Sequence, residues 1–135
     1  MARALDSFHD AAAVADGARY FALFPADAVF LGTDASERWS GAEFRAFAAR
    51  YFERESAWVY VPFERHVTVA ARGDLAWFDE ALDNAKYGAC RGTGVLVRRG
   101  GSWKIAQYNL TLVVPNAVAV DVVEIIRTGS DAAGD

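Results

Sequence analysis

A chain of 135 residues, 53% hydrophobic and 24% charged, is long enough for one domain with a proper core and too apolar to be disordered. Its net charge of −4, with no basic cluster beyond Arg98-Arg99, excludes the positive surface that nucleic acid demands. One cysteine, Cys90, rules out an intramolecular disulfide, no Cys/His spacing suits a metal, and no apolar run reaches membrane-spanning length. The N-terminal stretch carries acids where a signal peptide needs a long apolar run, so a soluble, cytoplasmic protein is expected.

Along residues 3–14, Ala4, Leu5, Phe8, Ala11 and Ala12 recur at three- and four-residue spacing, which predicts a helix. Asp16 is placed to cap a second helix running to Leu23 or Phe24, and Pro25 ends it. Residues 27–32 read as a short strand, 33–37 as a turn and Arg38-Trp39 as a brief strand. Ser40 with Glu43 forms a capping box for a third helix with Phe44, Phe47, Ala48, Tyr51 and Phe52 as its stripe. Residues 58–71 turn β-rich, and Pro62 marks an edge or a bulge.

Residues 73–114 predict three long strands joined by turns at 84–88 and 98–102. Period two puts Ala76, Phe78, Glu80 and Leu82 on one face of the first. In the third, Ala106, Tyr108, Leu110 and Leu112 alternate with an outer set of Trp103, Ile105, Gln107, Asn109 and Thr111. Gly92 and Gly94 in the middle strand suggest a curved sheet with empty space on its concave side. Pro115 closes the last strand, and a final helix starts at Asn116 or Asp121 with Val118, Val122, Ile125 and Ile126 as its stripe. Residues 1–127 form one domain in this reading, and residues 128–135 a flexible tail. Helices first and an antiparallel meander after is an α+β arrangement with the helices on one face of the sheet.

The stretches D-G-A-R-Y-F-A-L-F from Asp16, W-S-G-A-E-F-R from Trp39, G-D-L-A-W-F-D-E from Gly73 and the long run from Arg91 to Thr111 together resemble a SnoaL-like protein. That family lies in the nuclear transport factor 2-like (NTF2-like) superfamily of cone-shaped folds. The most specific piece is G-G-S-W-K-I-A-Q-Y-N-L-T. The resemblance runs from Leu5 to Ile126. It implies a ligand held between the N-terminal helices and the concave sheet and a homodimer through the outer sheet face. No flavin, haem or nicotinamide motif appears in the sequence, so no cofactor is expected. Some cyclase-type members carry His and Asp two residues apart on the last strand. The matching positions here read Tyr108 and Leu110, which removes the aspartate that cyclase chemistry needs.

Glu80 is the leading candidate, because a carboxylate on an apolar strand face is costly unless paired or protonated. It reads either as a general base of raised pKa or as a structural carboxylate bonded to a buried arginine or tyrosine. Tyr108 reads as its hydrogen-bond partner towards a ligand, or as a core tyrosine. Tyr20, Trp39, Phe78, Leu82 and Leu110 are expected to line the pocket, with aromatic packing the alternative for Tyr20 and Trp39. Arg91 faces outward by parity, but a bulge at the glycines would turn it inward, to Glu80 or to an anionic ligand. His66 reads as a surface residue and Cys90 as an inert buried thiol. Two functions fit. One is binding of a small, largely apolar molecule, with isomerase-, dehydratase- or hydrolase-type chemistry at Glu80. The other is a non-catalytic dimeric binding or assembly domain with a vestigial pocket.

Overall fold

The computed structural model describes residues 1–134, with side-chain surroundings through residue 129. Helix α1 (Ala2–Ala13) buries Leu5, Phe8, Ala11 and Ala12, the spaced residues of the sequence. Helix α2 (Gly17–Phe21) is capped by the Asp16 carboxylate, which accepts from the Arg19 N–H at 3.2 Å. It ends before Leu23, because Leu23 and Phe24 bond three residues back in tighter turns as Pro25 approaches. Strands β1 (Val29–Leu31) and β2 (Arg38–Ser40) pair as a short hairpin. Ser40 then caps α3 (Gly41–Ala48), accepting from the Glu43 N–H at 3.3 Å and donating to the Glu43 carboxylate at 2.9 Å. A 3₁₀ turn (Ala49–Glu53) continues α3.

The long strands are β3 (Val61–Val69), β4 (Leu75–Asn84), β5 (Gly88–Arg99) and β6 (Ser102–Leu112). The sheet order is β2-β1-β6-β5-β4-β3. All neighbours are antiparallel except β1 and β6, which run parallel. A parallel pairing is open to β1 because its return to β6 passes through most of the chain instead of a tight hairpin. One hydrophobic cluster joins α1, α2, α3, β1, β4, β5 and β6. Helix α4 (Ala119–Gly134) follows a 3₁₀ turn at Asn116–Val118, and it carries the stretch from Thr128 to Gly134 as helix. Asp135, the end of the expected tail, lies outside the described residues.

Two bulges decide which side chains face the helices. In β3, Pro62 pairs with Leu82 and Glu64 with Ala81, so Phe63 is the extra residue and stands exposed. In β6, Gln107 pairs with Val95 and Ile105 with Leu96, so Ala106 is the extra residue. A bulge switches the parity of everything beyond it. Ile105 is therefore fully buried and Trp103 packs on the core, which corrects their assignment to the outer face. The outer face of β6 keeps Gln107, Asn109 and Thr111.

The space over the β5 glycines is filled. A Cβ at Gly92 would sit 2.1 Å from the Tyr108 hydroxyl oxygen. One at Gly94 would sit 2.0 Å from the Gln107 carbonyl oxygen and 2.9 Å from the Phe78 ring. The glycines admit a tyrosine and a bulged backbone, not a void. Aromatic rings occupy the rest of the cone: Phe8 lies 4.5 Å from Tyr108 and 5.0 Å from Tyr20, and Phe30 stacks on Phe44 at 3.9 Å between centroids.

Candidate functional site

Glu80 is fully buried at the centre of a four-element polar network. Its Oε1 contacts His9 Nε2 of α1 at 2.5 Å and accepts from the Tyr108 hydroxyl of β6 at 2.8 Å. Its Oε2 accepts from Arg65 Nε of β3 at 2.9 Å. Arg65 reaches on to the Asp6 carboxylate of α1 at 2.7 Å. The sequence builds this locally. His9 follows Leu5 by one helical turn, so it shares the buried face of α1. The Phe63 bulge sets β3 so that Arg65 stands directly across from Glu80. Burial pushes the Glu80 carboxyl up, but the bond and charge of His9, with Tyr108 and Arg65, outweigh it and hold the carboxyl below its ordinary value. Burial and the Glu80 charge push Tyr108 far above an ordinary phenol, so it stays a donor.

The other expected site residues scatter. Tyr20 is fully buried, and burial, with Tyr60 nearby, raises its phenol well above its usual value. Its hydroxyl has no hydrogen-bond partner among the described residues. Phe78 and Leu82 lie in the interior of β4. Arg91 stands exposed on the outer sheet face, opposite Ala81 and Thr111, because the bulge falls at Ala106 and not at the glycines. The arginine that meets Glu80 is Arg65. His66 is exposed beside Glu64, and Cys90 is buried. His9, Arg65 and Asp6 were not singled out in the sequence. A signal for Arg65 existed: it shares the apolar parity of β3 with Val67, the mirror of Glu80 on β4.

Of the expected residues, Trp39 and Leu110 are the two brought to a cleft. They line a cleft of about 440 Å³ at the mouth of the cone. Its walls are Phe47 and Tyr51 from α3 and its 3₁₀ turn, Trp58 and Tyr60 before β3, and the turn after β4. Trp39 stacks on Phe47 at 4.4 Å. Asn84 holds the turn in place: its amide donates to the Val59 carbonyl at 2.9 Å, and its oxygen accepts from the N–H groups of Lys86 and Tyr87. Glu37, Arg54 and Lys86 are the charged residues of the lining. A wider cleft of about 510 Å³ lies between α2 and α3, lined almost wholly by apolar side chains such as Phe21, Phe24 and Ala42. Of the inward sheet positions it reaches Phe30 of β1 and none on the long strands. Neither cleft reaches Glu80 or Tyr108. Among the described residues no cluster of ligands suits a metal ion, and no helix is long and apolar enough to cross a membrane.

A curved sheet over N-terminal helices, with the interior closed by a carboxylate network, defines a cone of the NTF2-like kind. Residues 2–115 match the SnoaL-like domain, and the chain belongs to that family. No curated protein matches it. Among solved structures it is similar to a Streptomyces avermitilis protein provisionally described as a dehydratase of the NTF2-like family, with a TM-score of 0.71 and 17% identity over 84% of this chain and 94% of that one. It is similar to a Novosphingobium aromaticivorans protein provisionally described as an aromatic ring hydroxylase, with a TM-score of 0.68 and 21% identity over 84% and 87%. A Nostoc punctiforme protein of unknown function with a cystatin-like fold has a TM-score of 0.64 and 14% identity over 83% and 87%. Identities this low carry the fold and no activity.

Proposed function

We propose that the chain is a small-molecule-binding domain whose site is the mouth cleft, and that Glu80 and Tyr108 hold the fold together without acting on the ligand. One observation carries this reading: both Glu80 carboxylate oxygens are engaged by His9, Tyr108 and Arg65, while the cleft bordered by Trp39 and Leu110 stands open. A carboxylate that accepts from three partners, with its pKa held down, is a weak base and has no path to a ligand. Isomerase-, dehydratase- or hydrolase-type chemistry at Glu80 would need that network to open.

Titration of the neutral fluorophore N-phenyl-1-naphthylamine tests the reading. Saturable binding is expected, weakened at least about tenfold by Trp39→Ala, since buried aromatic anchors dominate such sites. Binding should be unchanged in folded Glu80→Gln. Binding indifferent to Trp39→Ala, or lost in a folded Glu80→Gln variant, would reject it.

We propose in addition that two copies associate through the outer sheet face. Trp77 and Leu75 stand 49% and 39% exposed there. Apolar surface of this kind marks association. Light scattering at tens of micromolar should give the mass of two chains; a mass of one chain would exclude the dimer.

A further inference from the structure

The cleft is lined by groups that can give hydrogen bonds and by few that can still accept them. Trp39 and Trp58 carry indole N–H groups, and neither is bonded among the described residues. The Tyr60 hydroxyl is likewise unbonded there, and burial, followed by the neighbouring Cys90, Tyr87 and Glu37, pushes its pKa up to about 12, so it remains O–H at any physiological pH. The Arg54 guanidinium lies 4.9 Å from the Tyr51 ring, and the Lys86 ammonium 5.1 Å from the Tyr87 ring. Neither cation forms an ion pair among the described residues. On the acceptor side, one Glu37 oxygen accepts from the Asp34 N–H at 2.9 Å while the other is unbonded among the described residues, and the Asn84 oxygen accepts from two backbone N–H groups. Glu53 and Glu55 flank Arg54 in sequence but do not line the cleft. A protein of net charge −4 thus presents two unpaired cations, against the single carboxylate of Glu37, around an aromatic slot.

We propose, resting on the mouth cleft as the binding site, that its ligand is a planar aromatic carboxylate. The ring system lies against the stacked pair Trp39 and Phe47 and against Trp58, and the carboxylate meets Arg54 and Lys86 at the rim with Tyr60 as a neutral donor. A volume of about 440 Å³ accepts a fused-ring acid and sits in the range of small-molecule sites, about 300–1,000 Å³. The apolar walls supply burial and the unpaired donors supply the preference for an acceptor-rich anion, because a donor desolvated without a partner is costly. Guanidinium and carboxylate match in geometry, and ring-stacked arginine is held ready for it.

Calorimetric titration with 2-naphthoate, and with its neutral counterpart 2-naphthamide, decides the matter. The carboxylate should bind at least about tenfold more tightly than the amide. Arg54→Gln with Lys86→Gln should erase that preference while leaving amide binding within about twofold; both side chains are exposed, so the fold is not at stake. Raising the salt should weaken the carboxylate alone. Equal affinity for the two compounds, or a preference that survives the double variant, overturns the anionic ligand and leaves the cleft as the binding site. If neither compound nor the neutral fluorophore binds, both this proposal and the binding function fall together.

Discussion

Replacing Arg65 by alanine should cost about 3–5 kcal/mol of stability, because it leaves the buried Glu80 carboxylate short of a charged partner. Arg65 also joins β3 to α1 through Asp6, so the same change loosens the helix that lids the cone. Denaturant unfolding at neutral pH reads the loss directly, and a cost under about 1 kcal/mol would reject the network as a stabilising device. The pH dependence gives a second reading of the same experiment. Glu80 has a folded pKa below its ordinary value of 4.5, so its contribution is present above that value and is lost as pH falls through the folded one. The gap between the wild type and Arg65→Ala should therefore narrow on the acid side.

Gly94→Ala should be at least as damaging, at roughly 3 kcal/mol or more, the upper end for overpacking. The new methyl meets the Gln107 carbonyl oxygen at 2.0 Å, and that atom belongs to the bulged backbone of β6, which cannot swing aside. Gly92→Ala is the instructive comparison. There the methyl meets a side-chain end, the Tyr108 hydroxyl, so the backbone survives but the bond from Tyr108 to Glu80 is broken. Thermal melts should rank Gly94→Ala below Gly92→Ala, and both below the wild type. The reverse order would mean that the bulge yields more easily than the tyrosine.

The two variants also mark where sequence reading works and where it stops. Caps at Asp16 and Ser40, the stop at Pro25 and the alternation in β4 are local, and each is written within a few residues. The period-two pattern in β4 puts Ala76, Phe78, Glu80 and Leu82 inside, as found. The same rule fails at Trp103 and Ile105 because one extra residue, Ala106, shifts the frame and carries no side-chain mark of doing so. Glu80 is visible as an anomaly, but its partners are not, since His9 and Arg65 are distant in sequence and meet it only through the helix docking and a second bulge. The cleft is the least legible part. Its walls come from short connecting segments that obey no periodicity, and only Trp39 and Leu110 were within reach of strand parity.

The parallel pairing of β1 with β6 ties the cleft to the order in which the chain can assemble. The hairpins of β4, β5 and β6 join neighbours in sequence, whereas β1 must wait for the last long strand to exist before it has anything to pair with. Closing that loop is entropically expensive and comes late. Trp39, Trp58, Lys86 and Leu110 are consequently brought together only in the finished molecule. A compound that fits between them has no counterpart in the unfolded or half-folded chain. It would draw the population towards the native state by mass action, so its presence in the cell would set how much of the protein survives as well as what the protein holds.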